Sequence, residues 1–244
     1  MYYIAAISFV AAFLYSLGGI GAAIILIPIL NSFGIPLSVA KPVGLFYNTI
    51  SLTGASINNI RNKRLDFKLG IPIIIFSFLF AIIGAYITKY IATKIILIMF
   101  ISFLVFSGFM FLFFRNNMET NFREDIPFTS LSLTGAIAGL LSGMLGIGGG
   151  GIISPLLLMM GFNPKKITTI TAFVVPFSSL SGFLTYWTMG TVDWKLLIIT
   201  SLAGIAGATT GTIYMQKHLN PNVVKRILAV ILLIMAFKMG LQIF

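Results

Sequence analysis

Eight apolar stretches, separated by short runs of charged or turn residues, constrain this chain more than any other feature. They cover roughly 2–33, 37–60, 69–88, 92–114, 128–160, 164–189, 195–215 and 222–244. Most approach the ~20 residues with which an α-helix crosses about 30 Å of hydrocarbon. A soluble domain of 244 residues, 58% hydrophobic and 9% charged, would carry more apolar surface than its interior could hide, whereas a bilayer accepts that surface. The expected fold is an all-α polytopic membrane protein.

The formal charge of +11 does not imply a nucleic-acid partner. Lys and Arg form no basic helix interleaved with aromatics, but sit in bursts between apolar runs, where topology signals lie. The expected partners are the lipid bilayer and a small substrate, and the sequence is compatible with homo-oligomers. With no cysteine, disulfides, thiol catalysis and Cys-ligated metals are excluded. Met1–Leu17 is apolar enough for a signal-peptide core but lacks a charged start and a small-residue cleavage site, so it reads as a retained membrane segment.

One long polar stretch, Arg115–Pro127, divides the chain into a repeat over 1–114, a linker over 115–127 and a second repeat over 128–244. A shift of 127 residues superposes Gly19, Gly21, Pro28, Gly34, Ser51, Asp66, Lys68 and Gly84 on Gly146, Gly148, Pro155, Gly161, Ser178, Asp193, Lys195 and Gly211 without a gap. Apolar coincidences mean little in such a chain. Gly, Pro, Asp and Lys matching in one register indicate a duplication.

The first segment of each half is too long for one untilted crossing and is interrupted by glycine, at Leu17–Gly21 and at Gly146–Gly151. Such runs weaken a helix and permit close approach. Each half therefore opens either with one tilted helix carrying a glycine seam or with a re-entrant pair of half-helices. If every segment crosses, the loop cations divide seven against eight and give no orientation. If the first segment of each half returns to its own side, Arg61, Lys63, Arg64, Lys68, Arg115, Arg123, Lys165, Lys166, Lys217, Lys225 and Arg226 share one side, against Lys41, Lys89, Lys94 and Lys195. Eleven against four is a positive-inside signal. It favours two inverted repeats with both termini outside and a broken segment opening each, the arrangement from which many transporters build substrate sites.

The segment after each break carries a polar stripe at helical spacing: Asn48, Ser51, Asn58 and Asn62 in the first half, Thr168, Thr171, Ser178 and Thr185 in the second. Such a face lines a hydrated path or packs helices closely. All five acids, Asp66, Glu119, Glu124, Asp125 and Asp193, lie in loops or at segment ends. Cation and metal pathways use intramembrane carboxylates, so the fitting substrate is an anion, with no metal and no cofactor. Helix N-termini and glycine amides bind negative charge without a buried cation. The candidate contacts are Gly19, Gly21, Asn48 and Ser51 from the first half. From the second they are Gly148, Gly149, Gly150, Gly151, Thr171 and Ser178, with Gly148–Gly151 and Ser178 dominant because the second glycine run is fuller. Lys41 is expected to snorkel to the interface. Asp66-Phe67-Lys68 and Asp193-Trp194-Lys195 read as helix starts, the acid favouring the macrodipole and the aromatic the interface.

Gly146-Ile-Gly-Gly-Gly-Gly-Ile-Ile-Ser-Pro155, Gly161 and Thr191-Val-Asp-Trp-Lys195 resemble the TauE/SafE sulfite exporter family, also called the toluene sulfonate uptake permease family. The first half carries a weaker copy, Gly19–Pro28, with Ala22, Ala23 and Ile24 where the family has glycines. The resemblance implies transport of sulfite, thiosulfate or organosulfonates across the plasma membrane. An anion channel or a structural membrane subunit is the alternative. A membrane-embedded enzyme fits less well, since one His, no Cys and no buried acid supply none of the usual catalytic constellations.

Overall fold

The computed structural model describes residues 2–15, 21–113, 122–218 and 221–241. Among these the chain is helical, without strands: α1 (Tyr2–Tyr15), α2 (Ala23–Ser32), α3 (Leu37–Arg61), α4 (Phe67–Ile87), α5 (Thr93–Phe113), α6 (Phe128–Leu145), α7 (Gly150–Met159), α8 (Pro164–Thr188), α9 (Trp194–His218) and α10 (Pro221–Gly240). Adding 127 to the bounds of α2 and α3 gives those of α7 and α8. Four described helices are long and apolar enough to cross a membrane: Phe67–Ile87, Thr93–Met110, Phe128–Leu145 and Pro164–Thr188.

Local chemistry explains where the short helices stop. Past the ends of α2 and α7, Gly34 and Gly161 adopt φ of +82° and +85°, the left-handed turn that glycine makes without a Cβ penalty. The next amides fold back on the helix, Ile35 onto Leu30 O at 3.1 Å and Phe162 onto Leu157 O at 3.2 Å. Then α8 restarts at once, because Asn163 accepts from the Lys165 amide at 2.9 Å and Pro164 fills the first turn. The Asp193 side chain likewise accepts from the Leu196 amide at the start of α9, at 3.0 Å.

Packing follows side-chain size. Along α4, Ile73, Ser77, Ala81 and Ala85 are buried while Ile71, Ile75, Leu79 and Tyr86 are exposed, an apolar surface suited to lipid. The inner face lies against Gly135, Gly139 and Gly143 of α6. A Cβ on Gly135 would stand 2.6 Å from Ile73 O, and on Gly139 it would stand 2.6 Å from Ser77 Cα. Small residues at every fourth position allow this backbone approach, the usual association mode of membrane helices.

The contacts also fix helix directions. Gly135, Gly139 and Gly143 meet Ile73, Ser77 and Ala81 in ascending order, so α4 and α6 run parallel. Gly70 meets Phe173 and Thr88 meets Tyr186, so α4 and α8 are parallel too. By contrast Leu45 meets Gly182, Thr49 meets Pro176 and Ser56 meets Ala172, so α3 and α8 are antiparallel. With α6 and α8 pointing the same way, the chain must double back between them. Consequently α7, ten residues and about 15 Å long, returns from a hairpin at 146–149. The linker end is held by the Arg123 amide on Gly161 O at 3.0 Å. The Arg123–Asp125 pair beside it is exposed and adds little.

Candidate functional site

Gly21, the described end of the first glycine break, and the second break come together at the middle of the α3–α8 pair, around Asn48, which is fully buried. Its Oδ1 accepts from the Ala23 amide at 3.0 Å, at the start of α2. Its Nδ2 donates to Ile147 O at 2.7 Å, inside the second break. One carboxamide thus ties the first break to a segment 99 residues further along the chain than itself. The fit requires glycine on both sides. Gly21 and Gly148 hold φ of +90° and +65°, and a Cβ on either would press on the Asn48 carboxamide at 2.6 and 2.5 Å.

The second break is finished differently. The repeat-mate of Asn48 is Val175, whose side chain can accept no hydrogen bond, and Gly149 at the N-cap of α7 supplies no side-chain cap. The amides of Ile152 and Ile153 turn back onto Gly149 O at 3.0 and 2.9 Å. The Gly150 and Gly151 amides are thereby left as the unfilled donors of a helix N-terminus, whose macrodipole favours negative charge. Against Gly148, just before them, lies the Ser179 hydroxyl, fully buried and without a hydrogen-bond partner. A Cβ on Gly148 would be 2.7 Å from it. Ser142 and Ser154, one turn before Gly146 and one turn after Gly150, also hold unpartnered hydroxyls. Unpaired buried polar atoms are uncommon and call for an explanation.

The expected site residues divide accordingly. Gly21, Asn48 and Gly148 are assembled at the meeting point, with Gly149, Gly150 and Gly151 continuing into α7. Gly19 lies outside the described residues. Ser51, Thr171 and Ser178 spend their hydroxyls on their own helices, on Asn48 O at 3.4 Å, Ile167 O at 2.8 Å and Val175 O at 3.1 Å. The serine expected from sequence is thus the neighbour of the unpartnered one. The polar stripe also leaves out that Lys41, Gly44 and Asn48 form the face of α3 that meets the second break. Gly44 and Lys41 both pack on Gly146, where a Cβ would be 2.7 Å from Lys41 Cα. The signal is present as small and polar residues spaced three and four apart.

Lys41 does not snorkel. It is only 4% exposed, and its Nζ lies 5.3 Å from the centre of the Tyr186 ring, within cation–π range. It borders a cavity of about 330 Å³. Tyr186 is held in turn, donating to Gly143 O at 2.9 Å and lying 3.2 Å from Thr88 Oγ1.

Apolar outer faces, helices of spanning length and a hairpin ending beside the centre of the molecule define a multi-pass α-helical membrane protein with a polar site at its breaks. The comparison with known proteins gives the family. The chain belongs to the sulfite exporter TauE/SafE family, whose model matches residues 4–239, and is a membrane transporter of that family. It is 29% identical over 249 residues to a probable membrane transporter protein of Methanocaldococcus jannaschii, covering 96% of this chain and 92% of that one. A probable membrane transporter protein of Bacillus subtilis is 27% identical, covering 80% of each chain. A TauE/SafE family protein of Arabidopsis thaliana is 38% identical over 81 residues, 33% of this chain and 19% of that protein. No solved structure matches the chain.

Proposed function

We propose that this protein carries small sulfur-containing anions (sulfite, thiosulfate or organosulfonates) across the plasma membrane of a prokaryotic cell, as a transporter and not as an enzyme. The observation that carries the reading is the uncapped N-terminus of α7 beside the partnerless Ser179 hydroxyl, at the middle of the α3–α8 pair. Amides freed by glycine, a helix dipole and a hydroxyl donor are the chemistry an oxyanion needs. From the expected set of Gly19, Gly21, Asn48, Ser51, Gly148–Gly151, Thr171 and Ser178, this reading takes Gly148–Gly151 as the anion contacts, adds Ser179 and makes Asn48 the organiser.

The two halves, 1–114 and 128–244, are read as inverted repeats. Equal helix bounds 127 apart and the antiparallel packing of the mates α3 and α8 support this. The eleven-to-four division of loop cations then puts 61–68 and the linker in the cytoplasm and both termini outside. The protein acts within the bilayer on a small anionic substrate, alone or as a homo-oligomer.

Reconstitution tests this directly. Proteoliposomes loaded with unlabelled sulfite should take up labelled sulfite with saturation and counterflow, and thiosulfate or an organosulfonate should compete. Flux that rises linearly without counterflow would indicate a channel. Chemical conversion of the sulfite would indicate an enzyme.

A further inference from the structure

The buried cation at Lys41 has no counterpart in the duplication, since its repeat-mate is Thr168. No described carboxylate lies within ion-pair distance of it, and the ion pair the structure shows is Arg123–Asp125. An ammonium withdrawn from water without a counter-ion is costly unless something of opposite charge visits it. The tyrosine ring offsets only part of that cost.

The cavity of about 330 Å³ that Lys41 borders has no acid among its lining residues: Lys89, Ser38 and Asn31 line it beside apolar Leu37, Ile91 and Ile96, while the Thr88 and Thr191 hydroxyls already donate to Ala85 O and Tyr186 O at 2.6 and 3.1 Å. It has room for a small oxyanion and several waters. Its inner wall is Tyr186, pinned to Gly143 O at 2.9 Å in the last turn of α6, and Lys41 itself packs against Gly146 at the start of the second break. The cavity and the second break are therefore linked through Tyr186 and Lys41, which reach Gly143 O and Gly146.

We propose that this cavity is a second anion-binding compartment, in which Lys41 is the charged ligand and through which a sulfur oxyanion passes on its way to the α7 break. The inference rests on the anion-transport reading and adds a ligand, a place and a side. Lys41 lies on the face with Lys89, Lys94 and Lys195, which the cation count assigns to the exterior. The cavity lies toward that face, with Tyr186 between it and Gly143.

The test uses the full-length protein purified in detergent, with sulfite as the probe and calorimetry and thermal unfolding as readouts. Lys41→Met should weaken sulfite binding at least tenfold and abolish the rise in melting temperature that sulfite produces. The anion-free melting temperature should stay the same or rise, because an unpaired buried charge has been removed. Lys41→Arg should retain binding, and Lys94→Met, which does not line the cavity, should behave as wild type.

A measurement that leaves Lys41 in place guards against misfolding. In this cysteine-free chain, sulfite should slow alkylation of Thr191→Cys by iodoacetamide relative to Glu124→Cys, whose exposed position corrects for reagent lost to sulfite. Tight sulfite binding by wild type with unchanged binding by Lys41→Met, or with no protection at Thr191→Cys, overturns the compartment and leaves the transport reading standing. Lys41-dependent binding of phosphate but not of sulfite or sulfate supports the compartment and removes the sulfur specificity. A wild-type protein that binds none of these anions overturns both.

Discussion

The two glycine breaks occupy equivalent places in the duplication and have been finished in opposite ways. At the first, a helix N-terminus meets Asn48, and the Ala23 amide is satisfied by the chain's own carboxamide at 3.0 Å. At the second, the same place holds Val175, which packs with the partnerless Ser179 against Gly148, and the N-terminus of α7 has no side-chain cap. Both breaks hold a left-handed glycine, Gly21 and Gly148, packed on that one asparagine. A duplication supplies two anion-attracting helix ends, and here one became the fastener that positions the other. Where the first end is filled by protein, the second has no side-chain cap.

The largest effect is expected from removing the fastener. Asn48→Val would strand the Ala23 N–H and the Ile147 C=O in a fully buried site, at about 1–3 kcal/mol for each. Thermal unfolding should show a large loss of stability, with anion binding lost along with it. An Asn48→Val variant as stable as wild type would mean that the two breaks are held by helix packing alone, and the contrast would lose its centre.

The next tests the asymmetry itself. Gly149→Val adds bulk where a Cβ would already be 3.2 Å from Ala138, and should lower sulfite affinity more than tenfold in protein that still folds. Ala23→Val crowds the equivalent region of the first break and should cost about 1–3 kcal/mol of stability through overpacking, with affinity kept. Equal losses of affinity from the two variants would show that both breaks bind substrate.

A third variant rebuilds the first break in the second. Val175→Asn places a carboxamide opposite the α7 N-terminus, as Asn48 stands opposite α2. Capping there should leave stability unchanged or raise it by about 1 kcal/mol. It should also compete with the anion for the same amides, weakening sulfite binding by about tenfold. Affinity equal to wild type would show that those amides do not hold the anion.

Much of this arrangement is legible in the sequence because it depends on residue types with narrow physical uses. The glycine runs, the Gly34/Gly161 stops and the Asp-aromatic-Lys starts announce helix ends whatever surrounds them, and the 127-residue register carries over to α2, α3, α7 and α8. The site is harder to read because rotation about a helix axis is set by the partner. Ser178 and Ser179 are adjacent, and only the packing of α8 on the break decides which hydroxyl is used by its own helix and which is left over. Lys41 departs from expectation for a related reason. A lysine near the start of an apolar segment ordinarily reaches water, but Gly146 and Tyr186 close over this one.

The smallest effect separates those two serines. In the anion-free protein the Ser179 hydroxyl has no partner, so Ser179→Ala removes a buried polar atom without stranding another. Stability should stay the same or rise slightly. With an anion bound, the variant lacks one donor while the α7 amides still carry most of the charge, so sulfite affinity should fall by about 0.5–1.5 kcal/mol, or about two- to tenfold. Ser178→Ala is the paired control. Its hydroxyl already donates to Val175 O at 3.1 Å within α8, an intrahelical bond with little net weight, so neither stability nor affinity should change measurably. Calorimetry on both variants, each checked for folding, decides between the hydroxyls. If Ser178→Ala weakens sulfite binding and Ser179→Ala does not, α8 presents a different face to the substrate, and the unpartnered hydroxyl has some other cause.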